Sequence, residues 1–349
     1  MSDLLHADVF VSGQDGFAFY RIPVIEVAAD GSILAFVEAR KHNLGDPGQD
    51  KNHIALAMKR STDGGRTWSQ MVIIEDPGEG WSAANPATVF DRDTGRVWLH
   101  YLRSKPGRGS EHARPGTDDL QNLVRTSDDN GVSWSEPTDI TTVCRDMADP
   151  KWRCTVVGPG GGIQDSKGRL MVACWMTEPM RVFAVFSDDH GRTWQRGGFV
   201  PGGILGNEDQ LVELADGRIL LDFRQAEGDH RWFAESSDGG RTWSQPRVGE
   251  PVSPVACAIE RFTLKSAGDD KNRIIWSGPK GPGRENLVVR ISEDEAASFP
   301  TELLVAPGKA AYVDAARLKD GSIGLLWERE DYKFITFTRL DRAFLTSLP

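Results

Sequence analysis

The side chains best suited to metal and thiol chemistry in this sequence are four cysteines and seven histidines. Cys144, Cys154, Cys174 and Cys257 form no Cys-x-x-Cys pair, and their spacing with the histidines matches no metal-ligand pattern. None of the histidines lies in a His-Glu-x-x-His segment. The sequence therefore predicts no metal centre and no other cofactor. Cys144 and Cys154 could bridge one loop, but buried apolar thiols are an equally good interpretation.

A second set of reactive groups is acidic and repeated. Four segments share the pattern Ser-x-Asp-x-Gly-x-x-Trp, and a fifth copy has Ala296 and Phe299 in place of Gly and Trp. Successive copies are 66, 60, 49 and 56 residues apart, beginning at Ser61, Ser127, Ser187, Ser236 and Ser292. In each copy Ser and Asp can bond backbone N–H groups, Gly accepts a positive φ, and Trp packs between sheets. Because a repeated turn cannot be a unique active site, we interpret these aspartates as structural.

The spacing of the repeats indicates the elements that must carry any site. A period of this length is typical of one four-stranded propeller blade with loops of varying length. Six apolar stretches bounded by turns also recur along the chain, at residues 31–40, 95–103, 168–176, 217–225, 272–279 and 321–330. We therefore expect an all-β fold, a six-bladed β-propeller, with residues 1–349 forming a single domain.

Composition and charge restrict the classes of partner that we expect this protein to bind. The 37 Gly, 19 Pro and 11 Trp suit many short strands joined by tight turns. The net charge of −10, without a Lys/Arg block, argues against nucleic acid or an anionic membrane as partner, so an anionic substrate would need local positive charge. The first ten residues, MSDLLHADVF, lack the features of a signal peptide, and no window is apolar enough for a membrane span. We expect a soluble protein, either cytoplasmic or secreted with its signal removed.

The segment FYRIP, Phe19–Pro23, resembles the Phe/Tyr-Arg-Ile-Pro motif of the sialidase (neuraminidase) family, and the repeats resemble that family's Asp boxes. The resemblance extends from residue 10 to about residue 330. It implies a retaining exo-α-sialidase, which hydrolyses terminal sialic acid from a glycan or glycoconjugate.

The resemblance also implies a binding site for the substrate carboxylate. Members of the family hold that carboxylate with three arginines, which correspond here to Arg21, Arg224 in ILLDFRQ and Arg284 in GPGRENL. A planar guanidinium group binds a carboxylate through two N–H groups and keeps its charge. Glu328 in LLWE matches the family's glutamate that pairs with the first arginine, and would orient Arg21 without doing chemistry.

Two further matches concern the nucleophile. A sialoside carries its carboxylate on the anomeric carbon, which repels an anionic nucleophile, and the family uses a neutral tyrosine activated by a glutamate. The segment AAYVDAAR resembles the family's Ala-Tyr-Ser-Asp segment, which makes Tyr312 the expected nucleophile. The segment GNEDQLV resembles Asn-Glu-Ser-Gln, which makes Glu208 the expected base.

The family's general acid is an aspartate on a loop before the first Asp box. Asp50, eleven residues before Ser61, is the expected acid, and Asp46, in a Gly-Asp-Pro-Gly turn, is the alternative. The next residues, Asn52 to Ala55, differ from the Gly-Asp-Ile-Asp of many members, and residues 174–178 lack their usual histidine and arginine. The substrate could therefore be a deaminated 2-keto acid sugar, and intramolecular trans-sialidase activity or non-catalytic glycan binding are the alternatives to hydrolysis.

Overall fold

Strands form nearly all the regular structure of the computed structural model, which describes residues 4–49 and 51–348. In chain order they are β1 (Leu5–Val11), β2 (Phe19–Val27), β3 (Ile33–Arg40), β4 (Ile54–Ser61), β5 (Val72–Glu75), β6 (Ser82–Asp91), β7 (Arg96–Ser104), β8 (Leu120–Ser127), β9 (Thr138–Asp139), β10 (Thr155–Val157), β11 (Gly160–Gly161), β12 (Ile163–Gln164), β13 (Leu170–Met176), β14 (Arg181–Ser187), β15 (Gln195–Arg196), β16 (Gly206–Glu213), β17 (Ile219–Gln225), β18 (His230–Ser236), β19 (Arg247–Pro251), β20 (Ala258–Thr263), β21 (Arg273–Pro279), β22 (Glu285–Ser292), β23 (Thr301–Arg317), β24 (Ile323–Arg329) and β25 (Phe334–Leu340). The helices are α1 (Thr141–Cys144), α2 (Arg342–Thr346) and a 3₁₀ turn at Lys265–Ala267. Within the described ranges, no helix has the length and hydropathy needed to cross a membrane.

Consecutive strands of the described chain pair antiparallel in six runs. The first two runs are β2-β3-β4-β5 and β6-β7-β8-β9. In the third, β10 and β12 both pair with β13, which is followed by β14 and β15. The fourth and fifth are β16-β17-β18-β19 and β20-β21-β22-β23. The long β23 continues into the sixth run, β23-β24-β25-β1, in which the strand nearest the N-terminus pairs with β25.

The six apolar stretches of the sequence are the second strands of these runs, β3, β7, β13, β17, β21 and β24. All residues of β3, β13 and β21 are buried. These strands lie in the interior of their runs and carry apolar side chains on both faces, because neighbouring runs cover them. The prediction of an all-β chain with six such strands is confirmed.

Each Asp box forms a turn after the third strand of its run. In the first box, the N–H of Gly65 donates to Ser61 Oγ at 2.9 Å and that of Thr67 to Asp63 Oδ1 at 2.9 Å. The fifth box keeps both bonds without the glycine, because Ala296 adopts φ 63° and donates to the Ser292 hydroxyl at 2.9 Å. The aspartates of the boxes therefore serve as turn acceptors, as the sequence indicates.

The boxes also join each run to the one before it. A Cβ added to Gly131 of the second box would lie 2.7 Å from the side chain of Leu34 in β3, so glycine is needed for this approach. The first box contacts the sixth run in the same way, since Trp68 packs on Phe337 of β25 with ring centroids 5.5 Å apart. The first and sixth runs are therefore neighbours.

The Asp boxes and the candidate site residues occupy opposite ends of the strands. In the first run, Ser61 pairs with Ile33, whereas Arg21 pairs with Glu38 at the far end of β3. A cavity of about 980 Å³ opens at the box end, lined by Glu26 and Glu260 among others, and none of the candidate site residues lines it.

Candidate active site

Tyr312, Glu208 and Arg224 meet although they come from three different strands. The Tyr312 hydroxyl donates to Glu208 Oε1 at 2.5 Å and accepts from Arg224 Nη1 at 3.0 Å. Arg224 also forms an ion pair with Glu208. Tyr312 is 6% exposed. The phenol therefore lies between a carboxylate that can take its proton and a cation that can stabilise the phenolate.

Arg21 is fixed by Glu328. Its Nε and Nη2 donate to the two carboxylate oxygens at 2.6 and 3.3 Å. The same oxygens accept the backbone N–H groups of Ile22 at 3.0 Å and Tyr312 at 3.1 Å. Because the Glu328 side chain is fully buried, this network holds the first arginine and the tyrosine backbone in one arrangement.

Arg284 completes the group of cations. Its Cζ lies 5.3 Å from the centroid of the Tyr312 ring, and the Cζ of Arg21 lies 5.2 Å from it. Arg284 donates to the carbonyl of Pro254 at 3.1 Å and to the hydroxyl of Tyr332 at 3.0 Å. All three expected arginines thus lie around one tyrosine.

Tyr332 is a site residue that the sequence analysis did not identify. Its ring centroid lies 4.1 Å from Arg21 Cζ, and its hydroxyl contacts Arg284. It belongs to the turn between β24 and β25, and its only sequence signal is an aromatic residue directly after the expected Glu328 strand. Periodicity cannot assign a role to a turn residue of this kind.

Bulges in the first strands of three runs direct these side chains. The register shifts between Arg21 and Val24 in β2 and on either side of Glu208 in β16, and β23 is irregular around Tyr312. Ile22 has φ 57°, a costly conformation for a β-branched residue, and Glu208 has φ 24°. A bulge re-aims a side chain without ending the strand, and such bulges are common beside active sites.

The electrostatics keep the phenol neutral and the arginines charged. Burial and the neighbouring Glu208 raise the pKa of Tyr312, although the three arginines act to lower it. Burial disfavours the charge of Arg21 and Arg224, but Glu328 and Glu208, respectively, outweigh it and raise the pKa of each guanidinium. Tyr312 therefore needs a base to become a nucleophile.

Of the two candidate acids, Asp46 lies within the described residues and Asp50 lies outside them. Asp46 receives a bond from Arg40 Nη1 at 3.1 Å, and Arg40 is itself buried against Glu38. The side chain of Asp46 is 64% exposed, so its outer face is open to a ligand.

The loop that carries Asp46 packs tightly against Arg108 and Gly109. A Cβ on Gly48 would lie 2.1 Å from the backbone nitrogen of Gly109, and a Cβ on Gly109 would lie 1.7 Å from the carbonyl oxygen of Pro47. Both backbones therefore need glycine at this contact, which fixes one loop against the other.

A buried hydrogen bond between side chains of β16 and β23 lies next to the site. Asp314 and Gln210 follow Tyr312 and Glu208 by two residues, and Gln210 Nε2 donates to Asp314 Oδ1 at 2.8 Å. Asp314 also accepts a backbone N–H of β2 at 2.9 Å, and Gln210 accepts one of β20 at 3.1 Å. Burial raises the pKa of Asp314 to about 6. First strands of four runs are thus joined beside the site.

The cysteines take no part in the geometry of the site. All four are buried free thiols, so the alternative of a bridge between Cys144 and Cys154 is wrong. Burial raises the pKa of Cys154 to about 11. Within the described residues, one group could share a metal ion, Asp91, Asp93 and His190, but Asp91 already bonds His190 Nδ1 at 3.0 Å.

The sequence has recognisable relatives. The BNR repeat-like domain family matches residues 31–325. A sialidase of Micromonospora viridifaciens is 33% identical over 347 residues, which cover 92% of this chain and 51% of the relative. A sialidase of Bacteroides fragilis is 28% identical over 342 residues, which cover 91% of this chain and 61% of the relative. The chain therefore spans about half the length of the first of these relatives.

Two solved structures have folds that superpose closely on this chain. The Hadza microbial sialidase Hz136 superposes with a TM-score of 0.84 at 25% identity, covering 97% of this chain and 69% of that one. The intramolecular trans-sialidase from Ruminococcus gnavus superposes with a TM-score of 0.84 at 19% identity, covering 98% and 99%. At that identity, the second comparison bears on the fold alone.

Proposed function

We propose that this chain is an exo-α-sialidase acting on sialylated glycans. It belongs to the BNR repeat-like domain family, and its relatives are named sialidases. The observation that carries this proposal is the Tyr312 hydroxyl placed between Glu208 and Arg224, with Arg21 and Arg284 on either side of the ring. Three cations around a neutral nucleophile suit a sugar that carries a carboxylate on the carbon under attack.

In the proposed reaction, the three arginines bind the substrate carboxylate beside Tyr312. Glu208 takes the phenolic proton as the Tyr312 oxygen forms a bond to the anomeric carbon. The bond from that carbon to the glycosidic oxygen breaks, and the departing oxygen receives a proton from an aspartic acid. Water then attacks the anomeric carbon as the same aspartate takes its proton, the bond from that carbon to the Tyr312 oxygen breaks, and Glu208 returns a proton to the phenol. Two displacements give net retention.

The general acid is proposed to be Asp50, with Asp46 as the alternative. Asp46 Oδ1 already accepts a hydrogen bond from Arg40 Nη1 at 3.1 Å, so this oxygen is engaged within its own loop. Asp50 is preferred because it lies eleven residues before Ser61, the position that matches the acid of the family.

The six antiparallel runs are proposed to be the blades of a six-bladed propeller formed by one domain. The bulged first strands of three runs bring Arg21, Glu208 and Tyr312 to one place, as the inner strands of blades would. The contact of the first Asp box with β25 supports this proposal, because a closed propeller requires its first and last blades to meet.

The test is an assay of the wild-type protein with a 4-methylumbelliferyl α-sialoside and its deaminated analogue, with the products followed by NMR. We expect the α-anomer of the free acid to form first, as retention requires. Release of an anhydro sugar would indicate intramolecular transfer instead of hydrolysis. Binding of the sialoside without turnover would leave only the glycan-binding alternative.

A further inference from the structure

Tyr332 touches two of the three arginines with two different parts of its side chain. Its ring face lies against Arg21, at 4.1 Å from Cζ to the centroid, and its hydroxyl oxygen accepts Arg284 Nη1 at 3.0 Å. The ring face and the phenolic oxygen are the electron-rich parts of a tyrosine. Each faces one cation, so a single side chain offsets part of the repulsion between two like charges.

The other contacts of these arginines leave Tyr332 with a distinct role. Glu328 holds Arg21 through Nε and Nη2, and Pro254 holds Arg284 through Nη2. These bonds fix each guanidinium group separately and do not relate one group to the other. Besides the ring of Tyr312, which lies 5.2 Å from Arg21 Cζ and 5.3 Å from Arg284 Cζ, Tyr332 also contacts both groups, and its hydroxyl bonds one of them.

The backbone around Tyr332 is strained in a way that points to function. Glu330, Asp331 and Tyr332 have φ values of 50°, 50° and 69°, three consecutive left-handed residues without a glycine. Such conformations are costly and persist only where the surroundings impose them. Ser12 holds the end of this turn, since its hydroxyl donates to the carbonyl of Tyr332 at 2.6 Å and its N–H donates to the carbonyl of Lys333 at 2.9 Å.

We propose that Tyr332 is a positioning residue, which sets Arg21 and Arg284 at the separation that one sugar carboxylate needs. This inference rests on the proposed function. The ring and the hydroxyl make separate contributions, because they act on different arginines. A carboxylate that binds between the two groups gains from both, whereas a neutral ligand at the same place gains little.

The experiment compares Tyr332→Phe and Tyr332→Leu with the wild type. The probes are the 2,3-unsaturated analogue of N-acetylneuraminic acid and its C1 carboxamide, with affinities measured by calorimetry. We expect the phenylalanine variant to lose about tenfold affinity for the acid and the leucine variant to lose more, because it also lacks the ring. The affinity of both variants for the carboxamide should stay within about twofold of the wild-type value. The exposed neighbour Lys333→Ala is the control and should bind both probes as the wild type does.

The outcomes separate the two proposals. If the wild type prefers the acid and both Tyr332 variants bind acid and amide as tightly as the wild type does, the positioning role is overturned while the proposed function stands. If both variants lose acid and amide equally, Tyr332 supports only the fold and the inference is again overturned. A wild-type protein that binds acid and amide alike would overturn the arginine site itself. In a turnover assay the positioning role predicts a raised KM with kcat within about twofold, since carboxylate binding is shared by ground and transition states.

Discussion

Arg21 and Glu328 form a buried ion pair across 307 positions of sequence. The pair joins β2 of the first run to β24 of the sixth, so it holds together two runs as well as the site. A charge left without its partner in such a place is costly, whereas the intact pair contributes little net stability.

Glu328→Gln should therefore lower both stability and activity. The amide keeps the shape but leaves Arg21 as an uncompensated buried charge, so we expect a loss of about 3–5 kcal/mol in the free energy of unfolding. Urea denaturation measures this loss, and kcat/KM should fall with it. The control is Asp8→Asn, which removes the partner of Arg329 from a more exposed pair in the same run and should cost less than about 1 kcal/mol. Equal losses in the two variants would contradict the prediction.

Tyr312→Phe should abolish turnover for every leaving group while the arginines still bind the acid sugar. Loss of a nucleophile costs on the order of 10⁴-fold or more in kcat. Tyr101→Phe is a matched control, because the Tyr101 hydroxyl likewise lies between a glutamate and an arginine, Glu75 at 3.1 Å and Arg125 at 3.3 Å. That variant should keep kcat within about twofold. Comparable rate losses in both variants would assign Tyr312 a structural role.

The general acid should be revealed by its dependence on the leaving group. Protonation of the departing oxygen contributes about 10²–10⁴-fold and matters most when that oxygen is basic. Asp50→Asn should therefore depress hydrolysis of a sialyllactose far more than that of a methylumbelliferyl sialoside. Asp46→Asn should depress the two substrates alike. The reverse pattern would make Asp46 the acid.

Asp209→Asn should stabilise the protein, and increasingly so as the pH rises. Asp209 is buried, and among the described residues no neighbour forms a hydrogen bond with either of its carboxylate oxygens. Burial raises its pKa well above the ordinary value. The folded state then retains a proton that the unfolded state loses above a pH of about 3.9, so wild-type stability falls with rising pH by at most about 1.4 kcal/mol per unit for this group. Urea midpoints from pH 4 to 8 should show the two proteins diverging.

The stability of Asp63→Asn relative to the wild type should depend on pH in the opposite sense, falling as the pH rises. Hydrogen bonds from Thr67 hold the pKa of Asp63 below its ordinary value, at about 2, so its contribution to stability is present above the unfolded value and is lost as the pH falls. The variant should be less stable than the wild type at pH 7 and approach it in acid. Its turnover of a sialoside should be unchanged, because the box lies at the opposite end of the strands. Loss of turnover at unchanged stability would contradict the structural interpretation of the boxes.

The fold could be predicted largely because its information is local and repeated. A stretch such as residues 31–40 is apolar on both faces and bounded by turns, so β3 could be read from the sequence alone. The fifth Asp box was harder, since Ala296 replaces the glycine, but the Ser292 and Asp294 side chains suffice to form the turn.

Much of the site could be proposed only from the resemblance to a family. Nothing in the local sequence of Glu208 and Tyr312 predicts that they touch, because the contact depends on two bulges, and a bulge leaves no periodic signal. Tyr332 was missed for a related reason, since its position depends on a left-handed turn tied to Ser12. The close contact of Gly48 with Gly109 is likewise a product of tertiary packing.

The pairing of β1 with β25 has a consequence for how the protein is made. Leu5 lies opposite Arg339, so the sixth run cannot be completed until the segment that forms β25 has left the ribosome. Until then β1 has a free edge, and Arg21 lacks the carboxylate that holds it. Contacts of such long range slow folding and prolong the exposure of unpaired strands to other chains. The nascent chain therefore completes its arginine cluster only after β24 and β25 have emerged, and the period before that closure is when these residues are most open to aggregation or to capture by a chaperone.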